Sequence, residues 1–267
     1  MSLRRVQRTW ERLARTDPLW AILSDPAKRD NRWEVGEFFR TGEDEIQGVM
    51  DHLDRLGLRP RRDRALDFGC GVGRLTQALA LHFREVHGLD ISRSMVESAR
   101  RYNRHGGRCA YHWSAAPRLP FADSGFDFVY SVLTLQHMPR RLAARFIGEL
   151  LRVLGPGGVL VFQEAGEPLA APGDAGAWSR LKRLLRGALP RGVIEALRGL
   201  RTAVRPPSAF EMHGIPRDGV ERLVRQGGGR IVDVAEDRAA GSGWSSFRYC
   251  VLKSDSSGLS APSARSG

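Results

Sequence analysis

The sequence predicts an α/β fold, in which helices flank a doubly wound sheet of seven mostly parallel strands. The first observation is an apolar run at residues 65–68 that passes into three alternate glycines and then into apolar residues at helical spacing. The second is that further short apolar runs recur along the chain and alternate with helical patterns. The third is size, because 267 residues with 42% apolar side chains suffice for one such domain with additions. The predicted strands cover residues 65–68, 86–90, 109–113, 126–133, 159–162, 231–234 and 247–252.

The glycine turn after the first strand predicts a ligand site. Gly69, Gly71 and Gly73 allow the backbone to turn sharply and to approach a ligand closely. Asp90 ends the second predicted strand, about 20 residues after the first glycine, where an acid can accept both hydroxyls of a ribose. The turn and the acid together favour a ligand that contains a nucleoside. The alternative is a turn of the same shape that binds nothing.

The segment 66–76 resembles the first motif of the class I S-adenosylmethionine (SAM) dependent methyltransferases. The glycine spacing led by Asp67 fits that family better than a dinucleotide fingerprint, which would need glycine or alanine where Arg74 stands. Further segments in the expected order extend the resemblance over roughly residues 39–165. It implies a Rossmann-like methyltransferase fold that uses SAM, with S-adenosylhomocysteine (SAH) as product, and no metal. The residues that it assigns to the cofactor in this region are Asp67, Gly69, Cys70, Gly71 and Asp90.

Residues 1–60 are expected to form an N-terminal helical extension that covers the cofactor. In the family, a segment just before the first core helix closes over SAM. The resemblance implies that Trp33 and Phe39 screen the sulfonium and that Thr41 reaches the methionine end. The alternative is that these aromatic residues pack the extension onto the core. An amphipathic helix is predicted over 45–56, with Gly57 at its end.

Residues 61–165 are expected to form the SAM-binding core. Ser92 is a predicted N-cap for a helix that runs to about Tyr102. Ile91 and Met95 match family positions that line the adenine pocket, although core packing would explain both residues equally well.

One position departs from the family pattern. The family carries an acid before a Leu-Pro-Phe run, and that acid meets the adenine amino group. Here Leu119-Pro120-Phe121 is present, but Ala115 replaces the acid. The contact is therefore expected to come from backbone groups at Ala115, at Ala116 and at the preceding Ser114.

The carboxyl end of the fourth predicted strand, 126–133, should face the cofactor, because open α/β sheets bind ligands beyond the carboxyl ends of their strands. Ser131 and Gln136 are the cofactor candidates there, and His137 is the candidate general base. The alternative role for this histidine is to brace the helix that follows. Two further candidates for the base are His213 and Glu164.

Residues 166–210 are predicted to be a basic helical insertion after the fifth strand. Within it, 178–205 carries eight Arg or Lys and a single acid, Glu195. A lid over an anionic acceptor, an interface with an acidic surface and a solvated hairpin all fit this pattern. Residues 211–253 should complete the sheet, and the resemblance implies that the seventh strand lies antiparallel between the fifth and the sixth. Residues 254–267, rich in Ser and Gly, are predicted to be a disordered tail.

Composition limits the remaining choices. The net charge of +12 suits a nucleic acid, an acidic substrate or an anionic membrane surface, but a solvated arginine-rich surface explains it as well. No apolar run of about 18 residues occurs, and the N-terminus lacks an apolar signal core, so a cytoplasmic protein is expected. Cys70, Cys109 and Cys250 show neither metal-ligand spacing nor a disulfide framework.

The leading functional prediction is a methyltransferase that acts on a small molecule, and the basic insertion suggests an anionic acceptor as one possibility. The alternatives are a methyltransferase of nucleic acid (RNA) and a SAM-binding regulatory module without catalysis. A dinucleotide oxidoreductase is disfavoured by Arg74. The sequence does not indicate whether oxygen, nitrogen, carbon or sulfur is methylated, nor the oligomeric state.

Overall fold

A computed structural model describes residues 3–169, 211–241 and 243–254. Its centre is a sheet in the order β3-β2-β1-β4-β5-β7-β6. The first five strands in this order pair in parallel, and β7 is antiparallel to both β5 and β6. The predicted seven-stranded, mostly parallel sheet with an inserted antiparallel strand is therefore confirmed. The strands are β1 Arg64–Phe68, β2 Glu85–Asp90, β3 Cys109–Trp113, β4 Phe126–Ser131, β5 Leu154–Pro168, β6 Gly229–Glu236 and β7 Trp244–Lys253.

Helices cover both faces of this sheet. Neighbouring strand residues point to opposite faces, so Ala65 packs with α3, α4 and α5, whereas Leu66 packs with α6 and α7. This arrangement explains why the central strands read as continuous apolar runs. Among the described residues, no helix is both long and apolar enough to cross a membrane. The helices are α1 Leu3–Thr16, α2 Pro18–Ile22, α3 Val35–Arg55, α4 Arg74–Leu79, α5 Arg93–Tyr102, α6 Arg140–Val153 and α7 Arg217–Gln226.

The first core helix begins earlier than the sequence predicts. Helix α3 starts at Val35 instead of residue 45, because the Glu34 carboxylate caps it by accepting hydrogen bonds from the backbone of Gly36 and Glu37. Phe39 and Thr41 therefore belong to a helix and not to a closing segment. The same helix ends as predicted.

Two other boundaries differ from the prediction. Strand β4 ends at Ser131, not at residue 133, and β5 is longer than the predicted 159–162 because it pairs with β7 as far as Pro168. Helix α5 matches the prediction, with the Ser92 hydroxyl accepting a hydrogen bond from the Met95 amide.

Helices α1 and α2 lie against the core through a small apolar cluster. Leu19 and Ala21 of α2 pack there with Phe38 of α3, Val72 of the glycine turn and Met95 of α5. The contact brings the N-terminal helices beside the carboxyl ends of β1 and β2. Most of the predicted basic insertion, residues 170–210, and the predicted tail from residue 255 lie outside the described residues.

Candidate active site

A cavity of about 680 Å³ lies at the carboxyl ends of β1, β2 and β4, which is where open α/β sheets bind ligands. Its floor is the turn between β1 and α4 and the ends of the neighbouring strands. Its walls come from α1, from the segment after β4 and from the loop 238–241 between β6 and β7. Of the residues predicted from the sequence, the cavity lining contains Gly69, Cys70, Gly71, Asp90, Ile91, Met95, Ala116, Gln136 and His137.

The glycine turn has the backbone conformation that its sequence requires. Gly69, Gly71 and Gly73 have φ values of 82°, 53° and 86°, in the left-handed region that favours glycine. The amides of Gly69 and Cys70 both donate to the carbonyl of Leu89, at 2.8 and 3.1 Å, which ties the turn to β2. A side chain at position 69 would overlap Thr134. The turn is therefore shaped so that bare backbone borders the cavity.

Asp90 lies at the end of β2 and is tied to the glycine turn. Its Oδ2 accepts a hydrogen bond from the Gly71 amide at 2.9 Å, and its Oδ1 accepts one from the Ser92 amide at 2.7 Å. Burial raises the pKa of Asp90 to about 6, although these backbone hydrogen bonds oppose the shift. A carboxylate with this setting can accept further hydrogen bonds from hydroxyl groups in the cavity.

His137 forms part of the opposite wall. Its Nδ1 lies 3.4 Å from the carbonyl oxygen of Glu211, and its ring meets the indole of Trp10 edge-on, with 5.2 Å between ring centroids. Burial lowers the pKa of His137 to about 4, so the imidazole is neutral near pH 7. A neutral imidazole at the cavity wall can accept a proton from a bound molecule.

Comparison with known proteins agrees with this geometry. Residues 66–162 match the family model described as "Methyltransferase domain". This part of the chain is therefore similar to methyltransferase domains. It includes the glycine turn, Asp90 and His137.

Several relatives are similar over a larger part of the chain. The O-methyltransferase cnsE of Penicillium expansum is 29% identical over 71% of this chain and 62% of its own length. The 27-O-demethylrifamycin SV methyltransferase of Amycolatopsis mediterranei is 37% identical over 49% of each chain. This chain thus spans less than two thirds of the length of these curated relatives. Magnesium protoporphyrin IX methyltransferase from Synechocystis PCC 6803, solved with bound SAH, has the same fold with a TM-score of 0.56, at 19% identity over 88% of this chain and 93% of that one.

Asp67, which opens the glycine motif, does not line the cavity. It is 1% exposed, and its Oδ2 accepts a hydrogen bond of 2.6 Å from the Thr76 hydroxyl on α4. Burial raises its pKa to about 7, against the hydrogen bond from Thr76. Its visible role is to join the end of β1 to the helix that follows the turn.

The aromatic residues expected over the cofactor also lie outside the cavity lining. The indole nitrogen of Trp33 donates to the Leu23 carbonyl, and Phe39 packs edge-on against Phe38 and Tyr102. These contacts match the alternative considered from the sequence, in which the aromatics pack the extension onto the core.

Three other predicted residues are likewise absent from the lining. The Thr41 hydroxyl donates to the Phe38 carbonyl one turn back, and the fully buried Ser131 hydroxyl donates to the carbonyl of Phe68. Ala115 is outside the lining, whereas its neighbours Ser114 and Ala116 are part of it. Ser131 thus bridges β4 and β1 instead of facing the cavity.

The other two candidate bases lie behind the wall. Glu164 is 1% exposed, and burial raises its pKa to about 8. The His213 amide donates to the Gln136 carbonyl at 2.7 Å, so its segment supports the residue next to His137. Neither Glu164 nor His213 lines the cavity.

Sequence reasoning missed a charged cluster at the edge of the cavity. Glu45 on α3 pairs with Arg74 at 2.8 Å, accepts a hydrogen bond from the Tyr130 hydroxyl at 2.7 Å, and lies 3.7 Å from Arg248 on β7. These residues come from four distant segments, so no local spacing in the sequence predicts the cluster. Arg238, on the loop after β6, adds another cation to the lining.

The N-terminal wall was also missed. One apolar stripe of α1 lines the cavity opposite the glycine turn, and it consists of Leu3, Val6 and Trp10. The stripe itself is visible in the sequence as apolar residues three and four apart. Only the tertiary structure shows that it faces the ligand cavity and not the core alone.

Proposed function

We propose that the protein is a SAM-dependent methyltransferase that acts on a small-molecule acceptor. The observation that carries the proposal is a single cavity that joins the glycine turn and Asp90 on one side to His137 on the other. The methyltransferase match over residues 66–162 and the similarity to O-methyltransferases of small molecules support it.

The residues present fit SAM. Gly69, Cys70 and Gly71 line the cavity, so a ligand there can approach the backbone of the turn closely. Asp90 would accept the ribose hydroxyls, while Ile91 and Met95 would contact the adenine ring. The backbone at Ser114 and Ala116 would take the place of the missing acid at position 115. When bound, SAM supplies a methyl group that is already activated on a sulfonium.

With such a donor, the protein mainly has to hold two partners in line, which is worth about 7–11 kcal/mol of the barrier. Leu3, Val6 and Trp10 exclude water from the acceptor side of the cavity. His137 accepts the proton of an acceptor hydroxyl or amine. The Glu211 carbonyl near Nδ1 favours the tautomer protonated at that atom, which leaves the lone pair on Nε2, 3.3 Å from the side-chain amide of Gln136. Because the pKa of His137 is low, the ring is neutral and can accept a proton across the neutral pH range.

An anionic acceptor remains the favoured class. The cavity lining includes Arg74, Arg238 and Arg248. Glu45 neutralises Arg74, and Arg248 lies 3.6 Å from Asp237. Within the described residues, no carboxylate lies within ion-pair distance of Arg238, so this loop presents positive charge to the cavity. The basic segment 178–205, which prompted the same expectation, lies outside those residues.

The experiment that tests the proposal uses methyl-labelled SAM, the purified protein and an extract of the source cells. The products are separated into small molecules, lipids, nucleic acid and protein. Label among small molecules supports the proposal, and retention on an anion-exchange column supports an anionic acceptor. Label in RNA would replace the small-molecule acceptor by nucleic acid. Tight SAM binding with no label in any fraction would favour the regulatory module.

We also propose that the protein works in the cytoplasm. Cys70, Cys109 and Cys250 are buried free thiols, which suits a reducing compartment. Fractionation of the source cells, followed by immunodetection, tests the location.

A further inference from the structure

The two faces of helix α1 differ in their side chains and in their surroundings. Its inner face carries the cavity-lining residues Leu3, Val6 and Trp10. Its outer face carries exposed arginines, namely Arg4, Arg5, Arg8, Arg12 and Arg15. The remaining charged residue of this helix, Glu11, contacts the start of α5 and also pairs with Arg15 at 3.1 Å.

Glu11 makes a dense set of contacts with the start of α5. Its Oε2 accepts hydrogen bonds from the Ser92 hydroxyl at 2.8 Å and from the Ser94 amide at 3.3 Å. Its Oε1 accepts one from the Ser94 hydroxyl at 2.5 Å and one from Arg15 Nη2 at 3.1 Å. The side chain is 23% exposed. Burial alone would raise the pKa of Glu11, but the bonds from Ser94 and Ser92 outweigh it and lower the pKa to about 2. A carboxylate at a helix N-terminus is further favoured by the helix dipole.

Ser92, which donates a hydrogen bond to Glu11, belongs to the turn that holds Asp90. The Ser92 amide donates to Asp90 Oδ1, while the Ser92 hydroxyl donates to Glu11. One short turn thus positions both the carboxylate proposed for the ribose and the attachment point of α1. Any ligand that orders the Asp90 turn will also order this attachment point.

The neighbouring residue of α1 reaches the other side of the cavity. Trp10 contacts the ring of His137 edge-on, and Val6 is 2% exposed in the same wall. Helix α1 therefore spans the cavity from the Asp90 turn to His137, with Glu11 as its polar attachment at the first of these points.

We propose that Glu11 is a positioning residue that clamps α1 onto the Asp90 turn and so couples cofactor binding to formation of the acceptor wall. The inference rests on the cofactor site proposed above. Because coupling between two events is reciprocal, a clamped α1 retains the cofactor, and a bound cofactor stabilises the clamped α1. Release of the clamp opens the cavity on the acceptor side and lets the cofactor leave faster.

The test compares Glu11→Gln with Arg12→Gln, which changes the charge of the same helix on its exposed face. Hydrogen exchange of the α1 amides is measured without and with SAH, and the SAH dissociation rate is measured by stopped flow. The expected result for E11Q is about tenfold faster SAH dissociation, since a hydrogen-bonded charge is lost. Without ligand, its α1 amides should exchange faster than in the unaltered protein, while those of β1 and β4 stay unchanged. R12Q should resemble the unaltered protein in each of these measurements.

A second variant separates the clamp from a merely structural effect. Ser94→Ala removes the hydroxyl partner of Glu11 without touching the cavity lining, so its effect on SAH dissociation should not add to that of E11Q in the double variant. The inference is overturned if E11Q releases SAH at the R12Q rate, or if its α1 amides exchange as in the unaltered protein. Should the unaltered protein bind no SAH, the proposed function fails. The exchange of α1 without ligand then still decides whether Glu11 holds this helix.

Discussion

At the scale of single residues, the most informative group is Asp90, a partly buried carboxylate that faces a ligand cavity. Its pKa of about 6 means that a modest fall in pH protonates it before any ligand is present. A protonated acid keeps fewer acceptor positions for hydroxyl groups. Cofactor affinity and pH should therefore be linked through this residue.

We expect SAH affinity to fall as the pH drops through about 6, by up to tenfold per unit, because the proton and the ribose compete for the same oxygens. Asp90→Asn should bind SAH about 10–100-fold more weakly at pH 7.5, since a hydrogen bond to a charged group is lost. It should also lack the fall near pH 6. Calorimetric titrations at a series of pH values measure both effects. Asp67→Asn is the control, because Asp67 is a buried acid of the same motif outside the cavity lining, and it should retain the fall. A D90N variant with unaltered affinity would place the ribose elsewhere.

His137 supports a second prediction, which concerns turnover. His137→Gln should lower kcat by roughly 10²–10⁴-fold, because the proton acceptor is lost, while KM for SAM changes little. His213→Gln serves as the matched control, since His213 lies behind the wall and outside the lining. Initial rates with the acceptor found in the labelling experiment measure both variants. Equal rates for the two variants would remove the base role from His137.

The residues that the sequence could predict are those whose setting is local. Gly69, Gly71 and Asp90 belong to a strand, a turn and the next strand, and short-range spacing alone brings them together. Trp10 and Glu45 were not predicted as cavity residues, because their positions depend on how distant helices pack. The family resemblance implied that Trp33 screens the sulfonium. The packing of the N-terminal helices places it outside the cavity lining instead.

At the scale of elements, the contact between α3 and α4 positions the charged cluster. Gly42, in the middle of α3, lies against the backbone of Arg74, so the two helices approach closely. A Cβ at position 42 would come within 2.6 Å of the Arg74 carbonyl oxygen. Arg74 could then no longer keep its ion pair with Glu45.

Gly42→Ala should destabilise the protein by about 1–3 kcal/mol, because overpacking against backbone cannot relax easily. Helix propensity alone would favour alanine by up to about 1 kcal/mol, so the two effects oppose each other and the clash wins. Gly48→Ala is the matched control on the same helix, where nothing lies within 4 Å of the added Cβ. That variant should be stabilised. Urea unfolding of both variants measures the difference, and an unchanged or raised stability of G42A would contradict the close contact.

The strands of the sheet were predictable from the sequence, except for the length of β5. The alternation of apolar runs and helical patterns indicated seven strands, and the family resemblance implied that the seventh lies between the fifth and the sixth, as in the structure. The extension of β5 to Pro168 was not visible, because it depends on pairing with β7, whose partner residues lie far along the chain. Likewise, the early start of α3 depends on the Glu34 cap, whereas the prediction followed apolar spacing alone.

At the scale of the whole molecule, the fold buries several acids whose proton affinity it raises. Burial raises the pKa of Asp67 to about 7 and that of Glu164 to about 8, well above their ordinary values. Between the ordinary and the raised pKa, the folded protein binds more protons than the unfolded chain. Stability therefore falls as the pH rises through this range. His137 acts in the opposite sense, because its lowered pKa makes stability rise with pH between about 4 and 6.5.

These opposing contributions separate only above about pH 7.5. Burial lowers the pKa of His82, His87, His105 and His112 as well as that of His137, so all five make stability rise with pH until the unfolded imidazoles are neutral. We expect the free energy of unfolding, measured by urea titration without ligand, to decrease from pH 7.5 to 8. Each acid can contribute at most about 1.4 kcal/mol per pH unit. Glu164→Gln should flatten the decrease, and Asp67→Asn should make the pH slope less negative near pH 7. The slope is the quantity to compare, because a glutamine at position 164 changes the absolute stability through its own hydrogen bonds. Measurements stay below pH 8, since unfolded thiols begin to ionise above it. A stability that is constant or rises between pH 7.5 and 8 in the unaltered protein would show that these two acids are ionised in the folded state without cost.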